Sequence, residues 1–556
     1  APKKSPARSL DAVVDARLQA EGLKRSPRAK AETLCRRLYL DLTGLPPSPK
    51  DVDAFVNHAR KNWKQAVEEL TNRLLKAEAY AEKWARHWLD VARYADSNGF
   101  EKDMPREQWA WRDWVIRSLA RDQPYDQFVI EQIAGDLIPN RTQEQLVATG
   151  FLRNGMVNEE GAIIYEQFRL EGIFDRMDCI GKGVLGLTLQ CAQCHTHKFD
   201  PITHDEYYGM FAFLNDTYEA QSWVYTQAQQ DKITSIKKQV AAIEDQIRRE
   251  TPDWKKQLNA WKERERLREQ QWEDLDAIEH IWEGGLNHPE KLADKSIIVL
   301  GHPSTRGKMY VTAKPRTTTL SAVRIEALRY GDLPFGGPGR SYRGLFAISE
   351  VEVFTRPPKS QAWTKMNLTH AEADFEEKTH PIEKFFWNHR AEAKSDDRTI
   401  GAAKLAIDGN GKTAWRPDRG PVLRHTDSVL LVRPGSPVKL APNIEIKVRI
   451  TVDHGGDGGV DNQQLGRFRV GITGVKSPKL APHDHAHTIG VRKGRASFRA
   501  WRKTVAKLKP LNDKIARLEQ GFPEASTSVL HLAEPIASER RATHLLDRGA
   551  WNKPQH

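Results

Sequence analysis

Cys191, Cys194 and His195 stand at the Cys-x-x-Cys-His spacing used for covalent attachment of a c-type haem. The chemistry explains the spacing. Two thiols three residues apart can each form a thioether to one edge of a porphyrin. The histidine that follows is then held under the ring, where its imidazole ligates the iron. Axial ligation and burial of the ring set the potential. On this reading a covalent haem c takes His195 as its proximal ligand. The distal side is left among His87, Met177, His204 and a tyrosine. An empty distal position would suit activation of a small oxidant, and a filled one simple electron transfer.

The same stretch admits other readings. A structural zinc site wants four ligands, and Cys191, Cys194, His195 and His197 are crowded, with no second Cys-x-x-Cys. A thioredoxin-like pair wants a strand-turn-helix setting. A Cys191–Cys194 disulfide would close a strained loop. Only four cysteines are present. If haem takes two, Cys35 and Cys179 either pair or stay as buried thiols. A polysaccharide hydrolase would instead draw on carboxylates such as Asp90, Asp96 or Asp200, whose separation decides the outcome.

The elements that must position these groups span 556 residues, enough for two to four domains. Residues 1–222 read as an α-helical domain rich in tryptophan. Gly44-Leu45-Pro46-Pro47-Ser48-Pro49 ends one helix, and Ser48 or Pro49 opens the next. Trp84, His87, Trp88, Val91 and Tyr94 fall on one helical face, which makes His87 either a core histidine or a haem-pocket residue. Between residues 146 and 190, Glu166, Arg169, Glu171, Asp175 and Arg176 read as salt-linked partners or a solvated face. Residues 223–279 carry Ile233, Ile236, Val240, Ile243 and Ile247 at heptad spacing, the seam of a helical hairpin that serves as a spacer. Residues 280–476 switch to period two. Short strands over 296–300, 308–313, 320–328, 346–354, 428–432, 444–452 and 468–473 suggest a β-sandwich of jelly-roll or galactose-binding type. The loops over 331–340 and 406–415 combine Gly, Asp, Asn and Arg with Trp415. Ordinary turn chemistry with a core tryptophan is expected there; an exposed tryptophan gripping a sugar is the alternative. Calcium in the sandwich is a further expectation. Residues 477–556 return to a basic helix and loop, and His483, His485 and His487 read as a flexible His-rich loop rather than a metal site. The fold class is thus multidomain α plus β.

A net charge of +12 reflects 86 Lys+Arg against 74 Asp+Glu. No zinc-finger, RNA-binding or basic-zipper signature accompanies it, so nucleic acid is not the expected partner. A basic surface suits acidic polymers such as sulfated or uronate glycans, or an acidic redox partner. No apolar run reaches the ~18–20 residues of a membrane span.

Separated motifs then agree in order with one family. Trp88-Leu89-Asp90-Val91-Ala92-Arg93-Tyr94-Ala95-Asp96-Ser97, Tyr125-Asp126-Gln127-Phe128, Ala148-Thr149-Gly150-Phe151 and the run from Leu189 through Cys191, Cys194 and His195 to Pro201 resemble the planctomycete cytochrome-type domain family of large exported proteins. Gly336-Gly337-Pro338-Gly339-Arg340, Ile348-Ser349-Glu350-Val351-Glu352-Val353, Ala406-Ile407-Asp408-Gly409 and Leu465-Gly466-Arg467-Phe468-Arg469 are similar to the carbohydrate-binding-like sandwich such proteins carry. Arg541-Ala542-Thr543-His544-Leu545-Leu546-Asp547-Arg548-Gly549 is similar to the opening of a second family domain, which implies a second polypeptide or domain continuing after His556. The resemblance implies export to the periplasm or cell surface, c-type haem and a glycan-rich setting. The expected function is haem-dependent oxidoreduction or electron transfer on or near an acidic polysaccharide. The rival is a glycan-binding or scaffold protein with a structural Cys-x-x-Cys-His.

Overall fold

A computed structural model describes residues 9–101, 103–160, 163–283, 287–301, 306–383, 398–454, 462–480, 493–535 and 539–555. The chain divides into two compact units, residues 1–90 with 115–124, and residues 91–114 with 125–556.

The first unit is built from helices α1 (Leu10–Ala20), α2 (Ala31–Thr43), α3 (Pro49–Lys61), α4 (Trp63–Leu75) and most of α5 (Glu78–Ala92). The proline run does what its chemistry dictates. Gly44 closes α2 in the left-handed conformation, and Ser48 caps α3 by accepting from Asp51 N, with Pro49 at the first position. Cys35, Phe55, Ala59, Ala66, Leu70 and Leu74 form the core. On α5 the fully buried residues are Ala81, Ala85 and Ala92. His87 is exposed, its ring tilted against the half-exposed Trp84. The aromatic stripe read from the sequence is therefore not the buried one: the small residues pack and the large ones lie outside, so His87 is no core histidine.

In the second unit, the first half of α6 (Trp109–Ala120) supplies the fully buried Trp111 and Trp114; the rest of the helix belongs to the first unit. Helices α7 (Tyr125–Ala134), α8 (Gln143–Ala148), α9 (Tyr165–Ile180) and α10 (His204–Asn215) follow. The strand Tyr218–Val224 then pairs antiparallel with Thr527–Ala533, so the chain returns to this region from far downstream. The heptad residues are buried as their spacing requires. They lie on α11 (Gln227–Glu250), which with α12 (Trp254–Glu269) shares a core with α13 (Lys493–Thr504) and α14 (Lys509–Gln520). The hairpin is thus half of a four-helix cluster.

The sandwich follows the alternation. One sheet runs Thr364–Lys365, Glu350–Arg356, Glu445–Val452, Gly307–Ala313, Glu279–Glu283; the other runs Leu368–Ala373, Ser428–Pro434, Ala322–Leu328, Arg467–Thr473, Ile297–Ile298, Glu290–Lys291. Val311, Ile325, Val353, Leu430, Val448 and Ile472 meet between them. Both edges of Ala322–Leu328 are paired and both its faces are buried. Its outward Arg324 is covered by the end of α12, donating to Glu269 at 2.8 Å, and lies 4.7 Å from the Trp272 ring.

Trp415 is core, fully buried against Phe346, and its indole N–H donates to Phe375 O. The sugar-gripping reading of this residue is therefore overturned. Asp408 serves the turn instead, accepting from Asn410 N and Thr413 Oγ1. In the glycine loop, Phe335 stacks on Trp223 at 3.7 Å. Gly339 passes so close to Leu345 that a Cβ would fall 2.0 Å from its carbonyl oxygen. Gly339→Ala is expected to cost about 1–3 kcal/mol, as overpacking does, read as a fall in the denaturant midpoint; an unmoved midpoint would mean the loop yields freely.

Candidate functional site

The Cys-x-x-Cys-His stretch lies on a short 3-10 turn, Gln190–Gln193, after α9 has run on through residues 181–185. Two apolar residues pin the turn inward. Ala192 is fully buried, and Leu189 packs so tightly on Gly181 that a Cβ there would clash at 2.8 Å. The alternate positions point out, so Cys191, Cys194 and His195 are all exposed. This is the arrangement a short helical turn must give when its small residues face the core.

The first turn of α10 holds the motif from below. Thr203 caps α10 through a capping box with Glu206. His204 Nε2 and the Tyr208 hydroxyl both reach the Gln193 carbonyl at 3.1 Å. A carbonyl between the two cysteines is thereby fixed from two sides. His204 was a distal-ligand candidate; its outer nitrogen is used here to orient the backbone. Sequence reasoning missed this role because it needs a carbonyl eleven residues back. Burial pushes the Tyr208 hydroxyl well above its ordinary value, with the nearby Cys194 adding to the rise, so it remains a donor.

The two histidines of the motif differ. His195 Nδ1 lies 2.8 Å from the Thr196 carbonyl and must donate to it. The neutral ring then carries its lone pair on Nε2. His197 is buried, and its Nδ1 accepts from Asp200 N at 2.8 Å and Phe199 N at 3.3 Å. His197 and Asp200 close a turn, aided by His197 N donating to Ile202 O at 2.9 Å. Asp96 accepts from the Tyr94 hydroxyl at 2.6 Å, and Asp90 is an exposed position of α5. Met177 is fully buried on α9.

All four cysteines are free thiols. Cys35 and Cys179 are buried, and burial pushes the Cys179 thiol up to about 11. Among the described residues no group of three or more His, Cys, Asp or Glu side chains gathers as a metal site. Neither the zinc reading nor calcium in the sandwich finds such a cluster there. His483, His485 and His487 lie outside the described residues.

Downstream residues complete the surroundings. Arg541 donates to Asp332 at 2.7 Å, and Asn215 donates to Thr543 Oγ1 at 2.9 Å. The ribbon of Leu545–Leu546 and Pro554–Gln555 follows, and Gly549 comes so near the motif that a Cβ would stand 3.1 Å from Cys194 Sγ. Of the charges read between residues 146 and 190, Glu166, Arg169, Asp175 and Arg176 are salt-linked, and Glu171 is exposed and accepts from Gln167. Arg169 is paired with Glu166, and Arg176 and Arg153 both reach Glu219 of the strand Tyr218–Val224.

A second feature lies on the outer face of the five-stranded sheet. Lys447 Nζ is 4.4 Å from the Trp363 ring and 5.4 Å from that of Tyr310. Arg356 is 4.4 Å from Trp363, and Arg449 is 5.3 Å from Phe354. Cations cover the Trp363 ring, so it is no stacking platform. It orients charge instead.

The fold is that of a multidomain α plus β protein, with no described helix long and apolar enough to cross a membrane. Residues 9–219 match the PSCyt2 family, a planctomycete-type family described as a protein of unknown function (DUF1549). No curated protein and no solved structure matches the chain.

Proposed function

We propose that this protein is an exported c-type haem protein that transfers electrons, or oxidises a small substrate, at or near an acidic polysaccharide. One observation carries the reading. Of four free cysteines, the two at haem-attachment spacing are exposed and the other two are buried. The donor set fits the group. Cys191 and Cys194 can each form a thioether, and His195 offers Nε2 because Nδ1 is engaged. His204 and Tyr208 hold the intervening backbone so that the thiols keep their spacing. Haem, when bound, supplies one-electron iron chemistry whose potential the protein tunes.

The test is expression with a cytochrome-maturation system. The denatured chain should keep its colour and weigh one haem more than the polypeptide. The double variant Cys191→Ala, Cys194→Ala should be colourless yet folded. A colourless wild-type protein with the mass of the bare chain would overturn the reading.

Arg356 and Arg449 on the sheet face already pair with Glu445 and Glu352, so Lys447 is the cation there that supports an acidic polymer as the neighbour. Retention on a sulfated glycan matrix should exceed that on a neutral one and fall with salt. Lys447→Ala with Arg449→Ala should reduce it.

A further inference from the structure

Tyr165, Arg169, Gly172 and Arg176 recur at spacings of four, three and four along α9, which puts them on one helical face. That face borders a cavity of about 70 Å³ whose lining includes Arg153, Asn158 and Glu219. Its polar groups are not used up by the protein. No described residue hydrogen-bonds the hydroxyl of the half-buried Tyr165, and burial, with Asp332 and Glu219 nearby, pushes it far above its ordinary value. The Asn158 side-chain oxygen accepts from Glu160 N at 2.8 Å, and no described residue accepts from its NH2 end. Arg153 is 6 % exposed; its Nη1 is engaged by Glu219 at 2.8 Å, and no other described group pairs with its guanidinium.

Charge around the cavity is out of balance. Arg93 and Arg106 stand behind it, Arg93 on Asp175 and Arg106 on the carbonyls of Gly155 and Asn154. Four guanidiniums, those of Arg93, Arg106, Arg153 and Arg176, thus stand against three carboxylates: Asp175 pairs with Arg93, Glu219 with Arg153 and Arg176, and Asp96 lies near Arg106. Burial, with Arg153 and Arg93 nearby, pushes Arg106 down to about 10. Buried cations in excess of buried anions are costly unless something neutralises them.

Gly172 is the second, independent sign. A mid-helix glycine weakens a helix by about 1 kcal/mol against alanine. Here a Cβ would reach only ordinary contact, 3.5 Å from Arg176 Nη2, so packing does not demand the glycine. What it preserves is the open space above Arg176.

We propose that this cavity binds the oxyanion head of a small organic ligand, a carboxylate or a sulfate ester, between Arg153, Asn158 and Tyr165. The volume admits a head group, and the rest of the ligand stays outside. The reading is independent of haem.

Calorimetric titration of the full chain with D-glucuronate, glucose 6-sulfate, inorganic sulfate and glucose tests it. At least one organic anion should bind better than inorganic sulfate, and glucose should not bind. Preference for glucuronate assigns a carboxylate, and preference for glucose 6-sulfate a sulfate ester. Tyr165→Phe removes a hydroxyl with no protein partner, so the melting temperature should hold while affinity falls about 10-fold or more, the worth of a hydrogen bond to a charged group. Gly172→Ala should melt no lower and also bind more weakly. Absence of binding at 10 mM (roughly the limit set by ~3 kcal/mol of interaction), or undiminished affinity in both variants, overturns the proposal.

Discussion

Glu219→Ala is expected to destabilise the second unit by about 3–5 kcal/mol, the cost of breaking a buried ion pair by removing one partner. Glu219 takes one buried guanidinium on each oxygen, Arg176 on Oε1 and Arg153 at 2.8 Å on Oε2. Burial alone would raise its pKa, but Arg153 and Arg176 overrule that and hold the carboxyl well below its ordinary range. With the carboxylate gone, two side chains only 6 % and 8 % exposed would be left as neighbouring like charges. The measurement is the urea midpoint at constant slope. Arg153→Met placed in the Glu219→Ala background should recover part of the loss, because it removes one of the stranded charges. A loss below about 1 kcal/mol, within the range of surface ion pairs, would mean that water already screens the cluster.

Acid will weaken the fold well before the carboxylates titrate. His454 and His531 are buried and His425 is half-buried, and desolvation pushes each down to about 4. Each is used neutral. His425 stacks on Phe335 at 5.3 Å and donates to Arg343 O at 2.6 Å. His454 Nδ1 pairs with Ser349 Oγ at 2.9 Å, and His531 Nε2 pairs with Ser222 Oγ at 2.8 Å. The unfolded chain binds these protons near pH 6.5 and the folded one only near pH 4. Between those values the unfolded state holds more protons, so stability is complete above about pH 6.5 and falls as pH falls. Each histidine contributes up to about 3 kcal/mol by pH 4. Glu107, Asp332 and Glu350, raised by burial, work in the opposite sense and offset part of it. Melting temperature followed from pH 7.5 to 4.5 should drop steeply, and His425→Gln, which keeps a donor for Arg343 O, should flatten the slope. A flat profile for the wild type would refute the assignment.

Much of this architecture is legible locally. The cap at Ser48 and Pro49, the seam from Ile233 to Ile247 and the alternation in Glu445–Val452 all follow from period and turn chemistry. What the sequence hides is non-local or at an edge. Leu368–Ala373 and Glu279–Glu283 are outer strands with little apolar alternation, and hydrogen bonding to a neighbour makes them strands. The pairing of Tyr218–Val224 with Thr527–Ala533 joins segments that share no pattern. His87 shares a helix face with tryptophans, but the fully buried positions of that helix are Ala81, Ala85 and Ala92. For the site, spacing picks out Cys191, Cys194 and His195 directly. The stripe Tyr165, Arg169, Gly172, Arg176 was equally present, but its meaning waits on Glu219 and Arg153, which arrive from other elements.

The near approach of Gly549 to the Cys194 sulfur bears on timing. A nascent chain offers residues 191–195 long before Gly549 exists to stand beside Gln193 and Cys194. Chemistry on that sulfur therefore has an early, open window during synthesis and a later, narrower one once the ribbon has settled, and a bulky adduct made first would dictate where the ribbon comes to rest.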